Sequence, residues 1–139
     1  MRYLFSLTFL LSLSLTFGQA KYNRILNSID DNKANYSKIA QQIWSHAEMG
    51  YQESQSSALL QKTLEYEGFK ITAGVAEIPT AFIATYGSGG PVIAILGEYD
   101  ALPGLSQKAL PYKVSNEGKA GHACGHHLFG TASAAAAIA

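Results

Sequence analysis

The run Pro91-Val92-Ile93-Ala94-Ile95-Leu96 constrains the fold more than any other stretch of this 139-residue chain. A short, continuous apolar run is typical of a strand that is buried on both faces of a sheet covered by helices. Helical patterns lie before and after the strand-like segments, which favours a layered α/β domain. The chain is long enough for one modest domain with a hydrophobic core.

Local patterns predict the elements around this run. Apolar residues recur at helical spacing in the region 21–47, which Asp30-Asp31-Asn32 interrupts. A second helix is predicted from about Ser56 to Glu67, with Ser54 or Ser56 as its N-cap and Gly68 as its stop. Its inward-facing residues are Leu59, Leu60 and Leu64. Short strands are predicted at 69–72 and 81–86, and a helix of small residues at 128–139.

The apolar run ends in an acidic turn, Gly97-Glu98-Tyr99-Asp100-Ala101-Leu102-Pro103-Gly104. Binding sites in open α/β sheets form outside the carboxyl ends of the strands. Glu98 and Asp100 are two residues apart, so both side chains face one way if the chain stays extended. We therefore expect Asp100, and with it Glu98, to belong to a site. The alternative is a charged surface turn that Pro103 ends.

The stretch Gly121-His122-Ala123-Cys124-Gly125-His126-His127 contains the only cysteine and three of the four histidines. His122, Cys124 and His126 alternate, so an extended backbone would aim two imidazoles and a thiolate at one point. Transition metals such as zinc prefer this ligand set. The alternative is a glycine-rich turn with a buried free cysteine and surface histidines. Three possible ligands within five residues favour the metal site.

Composition excludes some classes of function. Lys and Arg together (10) balance Asp and Glu (10), so nothing indicates nucleic acid or anionic lipid as a partner. A single cysteine excludes an internal disulfide framework, and a bound metal would account for an unpaired cysteine in an exported protein.

Residues 1–20 have the pattern of a secretory signal peptide. Arg2 precedes an apolar run from Tyr3 to Phe17, and small residues follow. We therefore expect a secreted or periplasmic protein without membrane attachment after cleavage; a buried N-terminal helix is the alternative. The final helical pattern has no stop signal. This predicts that the sequence is an N-terminal fragment, with residues 21–139 as the first part of a catalytic domain.

The acidic turn and the Cys/His stretch together resemble the metal-dependent amidohydrolases and metallopeptidases related to aminoacylase, hippurate hydrolase and the indole-acetyl-amino-acid hydrolases. The stretch Leu102–Ala109 is similar, more narrowly, to the aminobenzoyl-glutamate hydrolase branch of this family. The segment Trp44–Glu53 resembles the family's early helix-to-loop signature. The likeness covers nearly all of the chain after residue 20.

The resemblance implies a three-layer, zinc-peptidase-like α/β catalytic domain with two divalent metal ions, which could be zinc, manganese or cobalt. Cys124 and His126 match the family's metal ligands, and Asp100 matches a catalytic aspartate close to the metals. Glu98 and His127 depart from the family's usual residues, so ligation or a hydrogen-bonding role behind the ligands stays open for both, as it does for His122. The general base, the remaining ligands and a dimerisation domain would lie beyond residue 139.

The implied reaction is hydrolysis of an amide bond in N-acyl or N-aroyl amino acids or dipeptides, by a homodimer when the protein is full length. The fragment alone is expected to be inactive. Two rival classes remain open from the residues alone. One is a thiol hydrolase with Cys124 as nucleophile and a neighbouring histidine as base. The other is a non-catalytic metal-binding module.

Overall fold

The computed structural model describes residues 21–118 and 120–139, so the signal-peptide prediction for residues 1–20 lies outside the described residues. Residues 21–31 are helical (α1) and belong to a unit that ends at Lys33. Asn32 forms a turn, and its side-chain amide donates to the carbonyl of Ser28 (2.9 Å). The turn lies within the interruption that the sequence predicts.

Two further helices supply most of the core of the second unit, Ala34–Ile138. Helix α2 spans Lys33–His46 and buries Ile39, Ala40 and Ile43 on one face. Helix α3 spans Ser54–Tyr66 and buries Leu60 and Leu64. Apolar residues at helical spacing line one side of each helix, and burying these two sides drives their packing.

Gly68 ends helix α3 through a Schellman motif. The Gly68 amide donates to the carbonyl of Glu65, and the Phe69 amide donates to that of Leu64, both at 3.0 Å. Gly68 has a φ of +88°, a conformation that glycine adopts without a Cβ penalty. The predicted stop is therefore confirmed. Ser54 lies at the start of the helix, but the N-cap is Glu53, with no side-chain cap bond.

Strands β1 (Lys70–Ala73) and β2 (Phe82–Thr85) form an antiparallel pair in which Lys70 lies opposite Thr85. The turn Val75–Glu77 connects them. Phe69, Ile71, Phe82 and Ala84 pack against the buried cluster around Ile43 and Leu60. Both strands were predicted to within one residue at each end, because apolar and β-branched residues bounded by glycines mark them.

The run 91–96 does not form the expected buried strand. No strand is assigned to it, and all six residues are exposed, with Val92 at 86% and Ile93 at 84%. A strand needs hydrogen-bonded neighbours, and no part of the described chain pairs with this run. The expectation is wrong for this structure, in which β1 and β2 form a sheet of only two strands.

Helix α4 (His126–Ile138) packs on α3 and on the chain that follows the apolar run. Gly130 allows a close approach: a Cβ on it would stand 2.7 Å from the Glu98 carbonyl oxygen and 3.4 Å from Leu60. The Ser133 hydroxyl donates to the carbonyl of Leu96 (2.7 Å). Small residues on α4 thus hold the segment 96–99 beside the helix.

A second antiparallel pair joins β3 (Leu102–Pro103) to β4 (Ala120–Gly121). The described residues therefore combine helices with two small antiparallel sheets, which is consistent with part of an α/β domain. Within this part of the chain, no helix is both long and apolar enough to span a bilayer.

Candidate metal centre

The candidate site lies where the acidic turn meets the start of helix α4. Ala101 anchors the turn: it is 2% exposed, forms a parallel bridge with Met49, and its amide donates to the carbonyl of Glu48 (2.7 Å). The pairing of β3 with β4 then returns the chain toward the turn. These contacts bring Asp100 and His126 together, although 26 residues separate them.

His126 lies between two carboxylates. Its Nδ1 is 2.8 Å from Oδ1 of Asp100, and its Nε2 is 3.1 Å from Oε2 of Glu98. One ligand atom from each of the three residues lies within 4.8 Å of the others. All three side chains are partly exposed, so solvent and a small substrate can reach them.

The donor set fits a divalent cation. A neutral imidazole has a single N–H, so it can donate to only one of the two carboxylates. In that neutral form the other nitrogen keeps a lone pair, which a cation held by the neighbouring carboxylate can bind. When Asp100 accepts the Nδ1 proton, the Nε2 lone pair and the Glu98 carboxylate form a nitrogen and oxygen pair of the kind that zinc and manganese bind.

His122 and His127 lie beside this cluster but do not join it. Nε2 of His122 donates to the Ile43 carbonyl (3.0 Å), and the rings of His122 and His127 are 5.0 Å apart. Burial lowers the pKa of His122, and the hydrogen bond to Ile43 opposes this only in part. Burial and the neighbouring His122 also lower the pKa of His127. Both rings are therefore neutral at pH 7 and link α2 to the start of α4.

Cys124 is exposed and lies outside the cluster of Glu98, Asp100 and His126. The expected extended backbone from His122 to His126 is wrong, because residues 123–124 form a turn. Gly125, with a φ of +77°, allows the chain to turn directly into helix α4. The alternation of side chains is therefore lost. The assignment of Cys124 as a metal ligand remains a prediction.

Glu48 has a structural role that the sequence patterns did not indicate. Its carboxylate accepts hydrogen bonds from the amides of Gln55 (3.0 Å) and Ser56 (2.9 Å) and from the Ser56 hydroxyl (2.8 Å). It therefore caps helix α3 from outside the helix. Glu48 precedes Gln55 by seven residues and Ser56 by eight, a different spacing from that of a capping box. No local sequence pattern therefore identifies Glu48 as a cap.

This cap predicts an acid-sensitive contribution to stability. Burial raises the pKa of Glu48, but the hydrogen bonds from Gln55 and Ser56 outweigh it, so the pKa is lowered overall. The carboxylate therefore stabilises the fold above the ordinary glutamate pKa, and the stabilisation is lost as the pH falls through the lowered value. We expect Glu48→Gln to cost about 1 kcal/mol at neutral pH and less in acid.

Urea denaturation at neutral and acidic pH measures the difference between the wild type and Glu48→Gln. Glu65→Gln is the control, since Glu65 is an exposed residue of the same helix. A difference that does not shrink on acidification would contradict the capping role.

Comparisons with known proteins show that this chain is similar to several hydrolases. It is 50% identical over 124 residues to a subunit of the p-aminobenzoyl-glutamate hydrolase of Escherichia coli, covering 87% of this chain and 26% of that protein. It is 39% identical over 90 residues to N-acetylcysteine deacetylase of Bacillus subtilis (63% and 23%). It is 28% identical over 102 residues to hippurate hydrolase of Campylobacter jejuni (73% and 26%).

The chain thus spans about a quarter of the length of these relatives. No family model matches it.

Proposed function

Because this chain belongs to the group of amidohydrolases and peptidases that includes these relatives, we propose that the whole protein hydrolyses the amide bond of N-acyl or N-aroyl amino acids or dipeptides. The observation that carries the proposal is the contact of His126 with both Glu98 and Asp100. A divalent cation bound there supplies Lewis-acid polarisation of the amide carbonyl and lowers the pKa of water at the site.

The residues of the cluster have separate roles in this proposal. His126 and Glu98 offer one nitrogen and one oxygen as ligand atoms. Asp100 accepts the Nδ1–H of His126 at 2.8 Å, which fixes the tautomer and orients the ring. Asp100 and Glu98 place two carboxyl groups where solvent reaches them, and such groups can attract a cation.

Cys124 is proposed as a further ligand, on the resemblance of the Cys-Gly-His motif to that of the family. Its exposure is compatible with this role, since the thiol is not packed in the core.

We also propose two metal ions, a three-layer α/β domain, export after cleavage of residues 1–20, and a homodimer. Residues 21–139 alone offer a single cluster of three ligand atoms in the described part, so we propose that they do not turn over substrate.

Hydrolysis of N-aroyl and N-acyl amino acids by the full-length protein tests the proposal. We expect p-aminobenzoyl-glutamate or hippurate to release free amino acid, a chelator to abolish the reaction, and added zinc or manganese to restore it. Because a thiol hydrolase needs no metal, activity that persists in chelator would refute the metal mechanism. Absence of amide hydrolysis across both substrate types in the metal-loaded protein would refute the function.

A further inference from the structure

Tyr99 lies between Glu98 and Asp100 in the sequence, but its side chain contacts a different part of the molecule. The two carboxylates reach His126, at 3.1 Å and 2.8 Å. The ring of Tyr99 instead packs against the buried core cluster and stacks on Phe82, with 6.1 Å between the ring centroids. Successive side chains of an extended segment alternate in this way. The placement of Tyr99 therefore affects where its two neighbours point.

The hydroxyl of Tyr99 is bonded to the main chain of Thr80. It donates to the Thr80 carbonyl, and the Ser57 hydroxyl donates to the same carbonyl at 2.6 Å. A carbonyl oxygen has two lone pairs, so it can accept both hydrogen bonds. Ser57 and Thr80 are buried, which shields the carbonyl from competing water. The acidic turn is thus attached to the core through a side chain that faces away from the cluster.

Thr80 is itself fixed at the start of helix α3. Its hydroxyl donates to a carboxyl oxygen of Glu53 at 2.7 Å, and both residues are buried. Glu53 is the N-cap residue of α3, and its carbonyl accepts the amide of Ser57 at 2.8 Å. A chain of hydrogen bonds therefore leads from helix α3 through Thr80 to Tyr99.

Helix α4 limits movement of the turn on another side. A Cβ on Gly130 would stand 3.2 Å from Cβ of Tyr99 and 2.7 Å from the carbonyl oxygen of Glu98. The helix that makes this close approach begins with His126. The turn thus contacts the helix that carries the nitrogen ligand, while Tyr99 bonds it to Thr80. A displaced Tyr99 would shift the two carboxylates relative to His126.

We propose that Tyr99 is a positioning residue of the candidate metal centre. Its hydrogen bond to Thr80 fixes the backbone of the acidic turn, and the fixed backbone keeps the two neighbouring carboxylates within reach of His126. This inference rests on the proposed function, because it concerns the same metal centre. Losing a residue that orients metal ligands typically lowers metal affinity 10- to 100-fold. Tyr99 acts through the backbone of its neighbours, so we expect the lower end of this range.

Metal binding by the full-length protein tests the role of Tyr99. Zinc is titrated into chelator-treated protein in competition with a chelating dye, and we expect Tyr99→Phe to bind it about tenfold more weakly than the wild type. The variant should fold, because phenylalanine keeps the ring on Phe82 and the Thr80 carbonyl keeps its bond from Ser57. Circular dichroism checks this.

Ser57→Ala is the matched control. It removes the other hydroxyl that donates to the Thr80 carbonyl and leaves Tyr99 in place. A merely structural role predicts that both variants lose stability and that neither changes zinc affinity once folded. Zinc affinity in Tyr99→Phe equal to that of the wild type or of Ser57→Ala would overturn the inference and leave the proposed function standing.

Hydrogen exchange tests the positioning role without metal or substrate. The Ala101 amide donates to the Glu48 carbonyl, so its exchange reports the order of the turn. In chelator-treated protein, we expect the segment 97–101 to exchange several-fold faster in Tyr99→Phe than in the wild type or in Ser57→Ala. Unchanged exchange of this segment would count against the inference. A wild type that binds no zinc would contradict the proposed metal centre instead, and faster exchange would still support an ordering role for Tyr99.

A second variant keeps the inference falsifiable if Tyr99→Phe does not fold. Thr80→Val removes the hydroxyl that bonds Thr80 to Glu53 and keeps the carbonyl that accepts from Tyr99. We expect weaker zinc binding and faster exchange of the segment 97–101 in this variant as well, because the acceptor is less firmly held. Wild-type values for both measurements would overturn the inference.

Discussion

Replacing His126 with alanine is expected to lower bound metal to background and to abolish turnover in the full-length protein. His126 contacts both carboxylates of the cluster, so its loss removes the nitrogen ligand and leaves Glu98 and Asp100 without a common partner. A catalytic metal contributes several kcal/mol to transition-state stabilisation, which corresponds to a rate loss of roughly a thousandfold or more. Elemental analysis and kcat/KM for an N-aroyl amino acid measure the two effects.

Asp100→Asn should have a smaller effect than His126→Ala. An asparagine keeps the volume but lacks the charge that holds the Nδ1 proton of His126, and losing such a partner costs about 10–100-fold in metal affinity or activity. Glu117→Gln is the control, because Glu117 is an exposed acid in the loop before β4. Normal metal content in both His126→Ala and Asp100→Asn would rule out the cluster as the metal centre.

Cys124→Ala distinguishes the two chemistries that a cysteine supports here. A ligand role predicts that metal and turnover fall together. A nucleophile predicts that turnover is lost while metal content stays normal. The second outcome would favour the thiol hydrolase.

Gly121→Ala is expected to destabilise the fold by about 2–3 kcal/mol, a typical cost of overpacking. A Cβ at residue 121 would overlap the main-chain carbonyl oxygen of Leu105 and stand 2.8 Å from its carbon and 3.0 Å from Cα of Ser106. Because these are backbone atoms, either the β3–β4 pair or the loop that follows β3 must shift. Chemical denaturation measures the free energy of unfolding. Metal affinity should also fall, since the β3–β4 pair helps to position His126, five residues further along the chain.

Gly118→Ala, in the loop just before β4, is the matched control. The nearest atoms to a Cβ at residue 118 are 3.9 Å away, an ordinary van der Waals distance. We expect a change within about 0.5 kcal/mol. An equal loss of stability in both variants would show that the close approach at Gly121 has no special importance.

Local sequence patterns were sufficient to predict α2, α3, β1 and β2. Each depends on interactions within a few residues, such as the apolar spacing that buries Ile43 or the Schellman motif at Gly68. Helix α4 was also predicted, and it begins at His126, two residues before the expected start. Interactions between residues close in the sequence specify these elements, so the sequence alone is enough to predict them.

Burial and the composition of the site depended on tertiary structure. The apolar composition of 91–96 indicates a buried strand, but burial requires other segments to cover and pair with it, and the described chain leaves the run exposed. Glu48 caps α3 across a spacing that no helix motif predicts. Such contacts follow from how elements pack rather than from their own sequence.

The sequence by itself identified Glu98, Asp100 and His126 as candidate site residues, because acids after an apolar run and a Cys/His motif are chemically distinctive. Only the tertiary structure decided how they combine. The turn at Gly125 separates His126 from His122 and Cys124, its neighbours by alternation. The β3–β4 pair then brings His126 to Asp100 across 26 residues. Side-chain periodicity applies only while the backbone stays regular, and here a single left-handed glycine ends that regularity.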